Sequence, residues 1–201
     1  MTYKDLLDRV KMNDKDILNV YQYGSHVYGT NRKTSDFDFQ IIVANKERDE
    51  FSDNLINIFF YTPTEFEAKL KNHDIMALEC YFAPEHCIWK ELLKFNFDLD
   101  LSKLRSSLSA KADNSFVKAK KKFLVEKDYD PLIGKKSLFH SLRILRFGIQ
   151  IAEKNQIYNF QECNELFTEI MDTYHDWPSL FNQYKKQYNE LKSLFRLVAP
   201  K

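Results

Sequence analysis

The sequence is poor in the residues that mark several classes of protein. Four glycines and five prolines in 201 residues exclude collagen-like and low-complexity chains. Three cysteines, an odd number placed far apart, indicate reduced core residues rather than a disulfide framework. No apolar run approaches the roughly 18 residues of a membrane span, and the charged N-terminal segment carries no secretory signal. We therefore expect a cytoplasmic protein with no membrane association.

Charge is also nearly absent as a net quantity, but it is unevenly distributed. The formal net charge is +1, whereas residues 1–100 carry 12 basic against 18 acidic residues, a net of −6. Residues 101–150 carry 12 basic against 4 acidic residues, a net of +8. A segment this basic attracts phosphate groups, as RNA or tRNA would supply them. A solvated lysine-rich helix face explains the same run equally well.

Apolar residues are plentiful, and their pattern divides the chain in two. With 44% hydrophobic residues, including 17 Phe and 11 Tyr, the chain is a folded globular protein. We predict a mixed α/β (α+β) domain with a small mixed sheet at residues 1–100, followed by an all-helical domain at 101–201. The predicted strands are 16–23, 37–44 and 55–61, with a polar connection at 47–54. The predicted helices are 3–13, 62–71, 75–82, 102–127, 134–154, 160–173 and 178–198. A capping box of Thr62 and Glu65 is expected at the start of the second of these helices.

The segment YGSHVYGTNRKTSDFDF, residues 23–39, contains two of the four glycines and two aspartates one residue apart. Gly24, directly after a predicted strand, lets backbone N–H groups approach a phosphate, and Ser25 adds a hydroxyl donor. Residues two apart on a strand share a face, so Asp36 and Asp38 present two carboxylates together. Such a pair is costly unless a divalent cation lies between its members. The segment therefore predicts a nucleotidyl-transfer site.

Gly24-Ser25 followed by Asp36-Phe37-Asp38 resembles the signature of the DNA polymerase β nucleotidyltransferase superfamily. The longer segment resembles its bacterial and phage branch found in RNA-repair contexts, the RlaP-like predicted nucleotidyltransferases. Two later segments fit that branch, residues 61–84 with a Leu-Glu motif and residues 135–160 with a Lys-x-x-x-His-x-x-Arg helix. The resemblance implies a polymerase β-like domain that uses an NTP, ATP foremost, with Mg²⁺ or Mn²⁺. It also implies that Gly24, Ser25 and Ser35 bind the nucleotide.

The superfamily usually has a third carboxylate on the next strand, and here that position aligns with Asn57. An amide oxygen can coordinate a cation but brings no charge. We therefore predict a metal site of Asp36, Asp38 and Asn57, with weakened catalysis as an open alternative. Asp53 or Glu79 could supply the missing carboxylate.

Lys136, His140 and Arg143 follow the spacing i, i+4, i+7 and so lie on one helix face. We expect them to bind the triphosphate or the acceptor's phosphates, with arginine as a bidentate donor. The alternative is a polar stripe that faces solvent opposite the leucines of the same helix.

These features predict a metal-dependent nucleotidyltransferase in which an acceptor hydroxyl attacks the α-phosphate of an NTP. Asp36, Asp38 and Ser25 are the expected catalytic residues. The favoured acceptor is an RNA end, bound through the basic segment 101–150. Two alternatives stay open: transfer of AMP or UMP to a side chain of a protein partner, and a nucleotide- or nucleic-acid-binding module with weakened catalysis.

Overall fold

The computed structural model describes residues 1–173 and 176–200. The chain forms two compact units, Met1–Asp98 and Leu99–Lys201. This division is one of structure, and the assignment of functions to residues 1–100 and 101–201 stays a prediction. Residues 174, 175 and 201, which the predicted helical domain includes, lie outside the described residues.

The first unit is built on a five-stranded sheet. Its strands in chain order are β1 (Ile17–Tyr23), β2 (Phe37–Val43), β3 (Glu50–Ser52), β4 (Ile56–Tyr61) and β5 (Ile88–Glu91). Their spatial order is β3-β4-β2-β1-β5, and only the β2–β4 pair is parallel. The predicted small mixed sheet is therefore confirmed, with β2 at its centre.

Four helices accompany this sheet: α1 (Tyr3–Val10), α2 (Ser25–Tyr28), α3 (Pro63–Lys71) and α4 (Ile75–Tyr81). The predicted capping box of Thr62 and Glu65 begins α3, with proline in its first turn. The first helix ends three residues before its predicted end, because Lys11 adopts a left-handed conformation with φ 54°. Short 3₁₀ turns lie at Asp14–Asp16 and Glu85–Cys87.

One hydrophobic cluster of this unit lies on the face of the sheet that packs against α1. Burial along β4 alternates, so that Ile56, Ile58 and Phe60 are buried while the residues between them are only partly so. This alternation directs Asn57 toward the opposite face, because successive strand residues point to opposite sides. The buried cluster comprises Leu6, Val10, Ile17, Val20, Phe39, Ile41, Val43, Ile56, Ile58 and Phe60.

The second unit consists of α5 (Leu101–Leu124), α6 (Pro131–Lys154), α7 (Asn164–Thr173) and α8 (Trp177–Val198), with a 3₁₀ turn at Glu126–Asp128. Asp100, Asp130 and Asp176 cap three of these helices through their side chains. Gly148 allows close packing of α6 on α8, because a Cβ there would lie 2.7 Å from the ring of Phe195. None of the helices that the structure describes is both long and apolar enough to cross a membrane.

Three long helices differ from prediction at one end, since α5 ends at Leu124 rather than at 127, α6 begins at Pro131 rather than at 134 and α7 begins at Asn164 rather than at 160. The other differences concern short elements. The predicted polar connection 47–54 contains β3, and β5 and α2 were not predicted. The edge strands β3 and β5 have only three and four residues. β3 pairs with the next strand β4, whereas β5 pairs with the distant strand β1.

Candidate active site

Strand pairing brings the predicted acids and Asn57 together on one face of the sheet. Asp38 lies on β2 opposite Tyr23 of β1 and opposite Asn57 of β4. Asp36 directly precedes β2, two residues before Asp38. Directly opposed residues share a face, so these side chains meet at one end of the central strand.

The Asn57 amide connects the two carboxylates. Its Nδ2 donates to Asp36 Oδ2, and to Asp38 Oδ1 at 3.4 Å. Its Oδ1 accepts a hydrogen bond of 2.6 Å from the Ser52 hydroxyl on the neighbouring strand β3. The nitrogen faces the acids because ionised carboxylates can only accept hydrogen bonds. The predicted role of Asn57 as an oxygen ligand requires this amide to turn over, and it stays a prediction.

Gly24 lies directly against the acid pair, and two observations require glycine there. Its backbone has φ 81° and ψ −158°, a region that residues with a side chain essentially never occupy. A Cβ on Gly24 would lie 2.2 Å from Asp38 Oδ2. Ser25 follows at once as the first residue of α2, which ends after four residues at Gly29 with φ 72°. The glycine-serine pair and the acids thus lie together where β1 ends and β2 begins.

The loop between α2 and β2 is fixed by His26, which the sequence interpretation missed. Its ring stacks on Phe37 with centroids 4.0 Å apart and planes 9° from parallel. Its Nε2 lies 3.3 Å from the carbonyl oxygen of Ser35. The Ser35 hydroxyl accepts a 2.8 Å hydrogen bond from the Arg32 N–H and so closes a turn. The nucleotide-binding role of Ser35 therefore remains a prediction.

Glu79 was one candidate for the missing third carboxylate. Its side chain, on α4, is 2% exposed and accepts a hydrogen bond from the Tyr28 hydroxyl at the end of α2. This contact ties α4 to the helix that follows Gly24. A buried carboxylate needs such a donor, so the contact supports a structural role for Glu79.

Asp53 was the other candidate, and its carboxylate has different partners. Oδ1 accepts from the backbone N–H groups of Leu55 and Ile56 at 2.7 and 2.9 Å, and Oδ2 pairs with Arg9 at 2.9 Å. The Leu55 N–H, together with the Ile56 N–H and Arg9, holds the pKa of Asp53 below its usual value. These contacts cap the turn before β4.

Tyr23 and Gln40 are buried neighbours of Asp38 on the same face of the sheet. Tyr23 faces Asp38 across the strand pair and is buried. Burial, together with the charge of Asp38, raises the pKa of Tyr23 far above its usual value. Gln40, two residues after Asp38 on the same face, is fully buried. The acids are partly exposed, whereas these two neighbours of Asp38 are buried.

The predicted phosphate-binding helix residues differ in exposure. Lys136 is exposed and His140 is partly buried, but Arg143 is 5% exposed. Arg143 donates to His140 Nδ1 at 2.7 Å, and its guanidinium lies 5.6 Å from each ring of Phe139 and Phe147. The alternative prediction, a polar stripe that faces solvent, is therefore wrong at Arg143. Phosphate binding by these three residues stays a prediction.

The protonation of His140 follows from this arrangement. Burial lowers its pKa well below the usual histidine value, and the charges of Arg143, Lys111 and Lys118 lower it further. The imidazole is therefore neutral at pH 7, which leaves Nδ1 free to accept the Arg143 hydrogen bond.

The donor set fits one hard divalent cation. Asp36 and Asp38 each place an oxygen within hydrogen-bonding distance of one amide nitrogen, so both carboxylates converge on a common space. Oxygen ligands of this kind are those that Mg²⁺ prefers. Within residues 1–173 and 176–200, no group of three or more His, Cys, Asp or Glu side chains is placed to hold a metal ion. The three cysteines are free and buried.

Comparisons with known proteins agree with this geometry. A family model described as a nucleotidyltransferase domain matches residues 3–127. The fold is similar to the crystal structure of spectinomycin adenyltransferase AAD(9) from Enterococcus faecialis, solved with ATP and spectinomycin. That match covers 98% of this chain and 100% of the other, with a TM-score of 0.50 and 11% identity, and it shows the fold alone. A search of curated proteins gives no significant match.

The resemblance to the polymerase β-like superfamily is confirmed, whereas the RlaP-like branch stays a prediction. The matched region begins at the first residue of α1 and extends through α5 into the turn after it, well over half of the chain. The protein therefore belongs to the nucleotidyltransferase domain family.

Proposed function

We propose that the protein transfers a nucleoside monophosphate from an NTP to an acceptor hydroxyl in a metal-dependent reaction. The observation that carries this proposal is that Asp36, Asp38 and Gly24 lie together where β1 ends and β2 begins. A residue at position 24 has no room for a side chain beside Asp38. A carboxylate pair beside an open backbone is the arrangement that a metal-bound triphosphate needs.

Each part of the site has a distinct role in this proposal. Asp36 and Asp38 hold Mg²⁺ or Mn²⁺, which supplies positive charge to the phosphate oxygens. Gly24 leaves room for the β- and γ-phosphates, and the Ser25 hydroxyl donates to them. ATP is the favoured nucleotide, since the structural neighbour was solved with ATP.

The reaction forms one bond and breaks another at the α-phosphorus. The acceptor oxygen bonds to that phosphorus, and the bond to the β-phosphate oxygen breaks, so that pyrophosphate leaves with the electron pair. The acceptor's proton passes to solvent, because Asn57 as an amide cannot take it up at neutral pH. We therefore expect slow turnover.

We favour an RNA end as the acceptor. The support is the net charge of +8 in residues 101–150 and the exposure of Lys118, Lys120 and Lys121 on α5. Exposed cations of this kind bind nucleic-acid phosphates without reading sequence.

An acceptor screen with α-labelled NTPs tests the proposal. Wild-type protein is incubated with Mg²⁺ or Mn²⁺ and with RNA, candidate protein partners or spectinomycin. We expect label on RNA, and none with Asp36→Asn/Asp38→Asn. Asp8→Asn/Glu47→Gln, which neutralises two exposed acids, is the matched control and should label RNA as the wild type does.

The other outcomes have defined meanings. Label on protein would favour the alternative of protein nucleotidylation. NTP binding measured by calorimetry, with no transfer to any acceptor, would favour the binding-module alternative. Equal labelling by the wild type and the double acid variant would show that Asp36 and Asp38 are not the reaction centre.

A further inference from the structure

Three side chains form a row across the strands β2, β4 and β3. Asp38 lies opposite Asn57, and Asn57 lies opposite Ser52. We propose that Asn57 is a positioning residue, oriented by Ser52, which holds the Asp36–Asp38 pair through its N–H groups and does not bind the metal through its oxygen. This inference rests on the proposed function, because it concerns the metal site of that reaction.

The orientation of the amide follows from its partners on both sides. Asp36 and Asp38 offer only acceptors, and the Asn57 nitrogen has two hydrogens to donate. The Ser52 hydroxyl donates to the amide oxygen at 2.6 Å on the other side. Turning the amide over would place its oxygen against two carboxylates and remove both donors from them. Each neighbour therefore favours the same orientation.

An amide in this orientation partly replaces the charge of the metal ion. Two close carboxylates repel each other, and N–H donors reduce that repulsion. The amide therefore stabilises the carboxylate pair in the metal-free protein. A metal ion that binds Asp36 and Asp38 must then compete with the Asn57 amide for the same carboxylate oxygens. A third carboxylate at this position would instead depend on metal for its stability.

A positioning role and a ligand role predict opposite effects for Asn57→Ala. Loss of a ligand would weaken metal binding. Loss of a hydrogen-bond donor removes the contact that the metal ion must displace, so metal binding becomes tighter while the metal-free protein becomes less stable. The sign of the change in the dissociation constant thus separates the two roles.

The test uses Mn²⁺ alone on the full chain. Binding is measured by electron paramagnetic resonance, and thermal unfolding is measured with EDTA and with saturating Mn²⁺. For Asn57→Ala we expect Mn²⁺ to bind several-fold more tightly and the EDTA melting temperature to fall. For Asn57→Asp we expect at least about tenfold tighter binding from the added carboxylate ligand, and a larger rise in melting temperature on adding Mn²⁺. Asn54→Ala, at an exposed position three residues away, is the matched control and should change neither quantity.

Several results would overturn the inference. Weaker or unchanged Mn²⁺ binding by Asn57→Ala contradicts the donor role. Unchanged Mn²⁺ binding by Asn57→Asp shows that the side chain does not face the acid pair. If the wild type and Asp36→Asn/Asp38→Asn bind Mn²⁺ equally, the proposed metal site itself is wrong, and this result is distinct from the other two.

Discussion

The two units of the molecule use their polar residues in different ways. In the sheet unit, Asp36 and Asp38 lie beside Gly24 where β1 ends and β2 begins, and both acids are partly exposed. In the helical unit, the buried Arg143 donates to His140 and lies near two aromatic rings. The first arrangement places two carboxylates side by side within reach of solvent, whereas the second pairs a buried cation with groups of its own helix.

This difference shows how far side-chain spacing can be interpreted. On a paired strand, spacing and register together specify which side chains meet, as for Asp38 and Asn57. On a helix, spacing specifies a shared face but not what covers that face. The ring of Phe139 on α6 contacts Phe167 on α7 at 5.0 Å, so a neighbouring helix covers part of this face. A ligand role is therefore better supported for the acids than for Arg143.

The largest effect is expected from a substitution of Gly24, which lies against the acid pair. Gly24→Ala should abolish nucleotidyl transfer and destabilise the fold by more than about 2 kcal/mol, because it combines backbone strain with a collision at Asp38. Gly29→Ala is the matched control. It also has a positive φ, and should cost only about 1–2 kcal/mol while keeping activity. Urea unfolding and the transfer assay measure both variants. Full activity in Gly24→Ala would contradict the close approach of Gly24 to Asp38 in the active site.

A smaller effect concerns the tie between α2 and α4. Tyr28→Phe removes a donor from the buried Glu79 carboxylate and should cost about 1–3 kcal/mol of unfolding free energy. Tyr81→Phe removes a hydroxyl from the helix that carries Glu79 and should cost less than about 0.5 kcal/mol. Denaturant unfolding monitored by circular dichroism compares the two. Equal losses would show that the Tyr28 contact has no special weight.

The pH dependence of stability tests the account of the buried His140–Arg143 pair in the helical unit. The pKa of His140 is lower in the folded protein than in the unfolded chain, so the unfolded chain binds more protons as pH falls below 6.5. His140 should therefore cost the fold up to about 2 kcal/mol between pH 7 and pH 5. His140→Gln should reduce this loss, and His86→Gln, at an exposed position, should not. Unfolding free energies at both pH values provide the measurement, and an identical pH dependence in both variants would contradict the account of His140.

The smallest effect on stability is expected on the exposed basic face of α5. Lys118→Ala/Lys121→Ala should change the unfolding free energy by less than about 0.5 kcal/mol. If RNA binds there, the variant should weaken RNA binding and lower its salt dependence by about 0.7 per lost contact. Lys4→Ala/Lys71→Ala, two exposed positions in the sheet unit, is the comparison for the binding measurement. Equal RNA affinity in both variants would remove the support for this surface.

The parts of the site that were predicted from sequence are those encoded locally. Gly24, Ser25, Asp36 and Asp38 lie within 15 residues, where strand alternation and glycine geometry limit the possibilities. Asn57 could be aligned because it lies on the next long strand. The same local rules predicted the capping box at the start of α3.

The missed parts depend on short elements and on contacts that no local sequence pattern encodes. Ser52 lies on a three-residue edge strand that only its pairing with β4 defines. Tyr28 and Glu79 are 51 residues apart on two short helices, and neither helix contains a signal for the other. The burial of Arg143 depends on neighbouring helices, which the pattern of α6 alone cannot specify.

The most direct test of the central claim is a comparison of two labels in ATP. Wild-type protein, Mg²⁺ and RNA are incubated with ATP labelled at the α-phosphate or at the γ-phosphate. The account predicts that the α-label is incorporated into RNA, that the γ-label is released as pyrophosphate, and that Asp36→Asn/Asp38→Asn does neither. Incorporation of the γ-label, or incorporation of the α-label by the double variant at the wild-type rate, would contradict it.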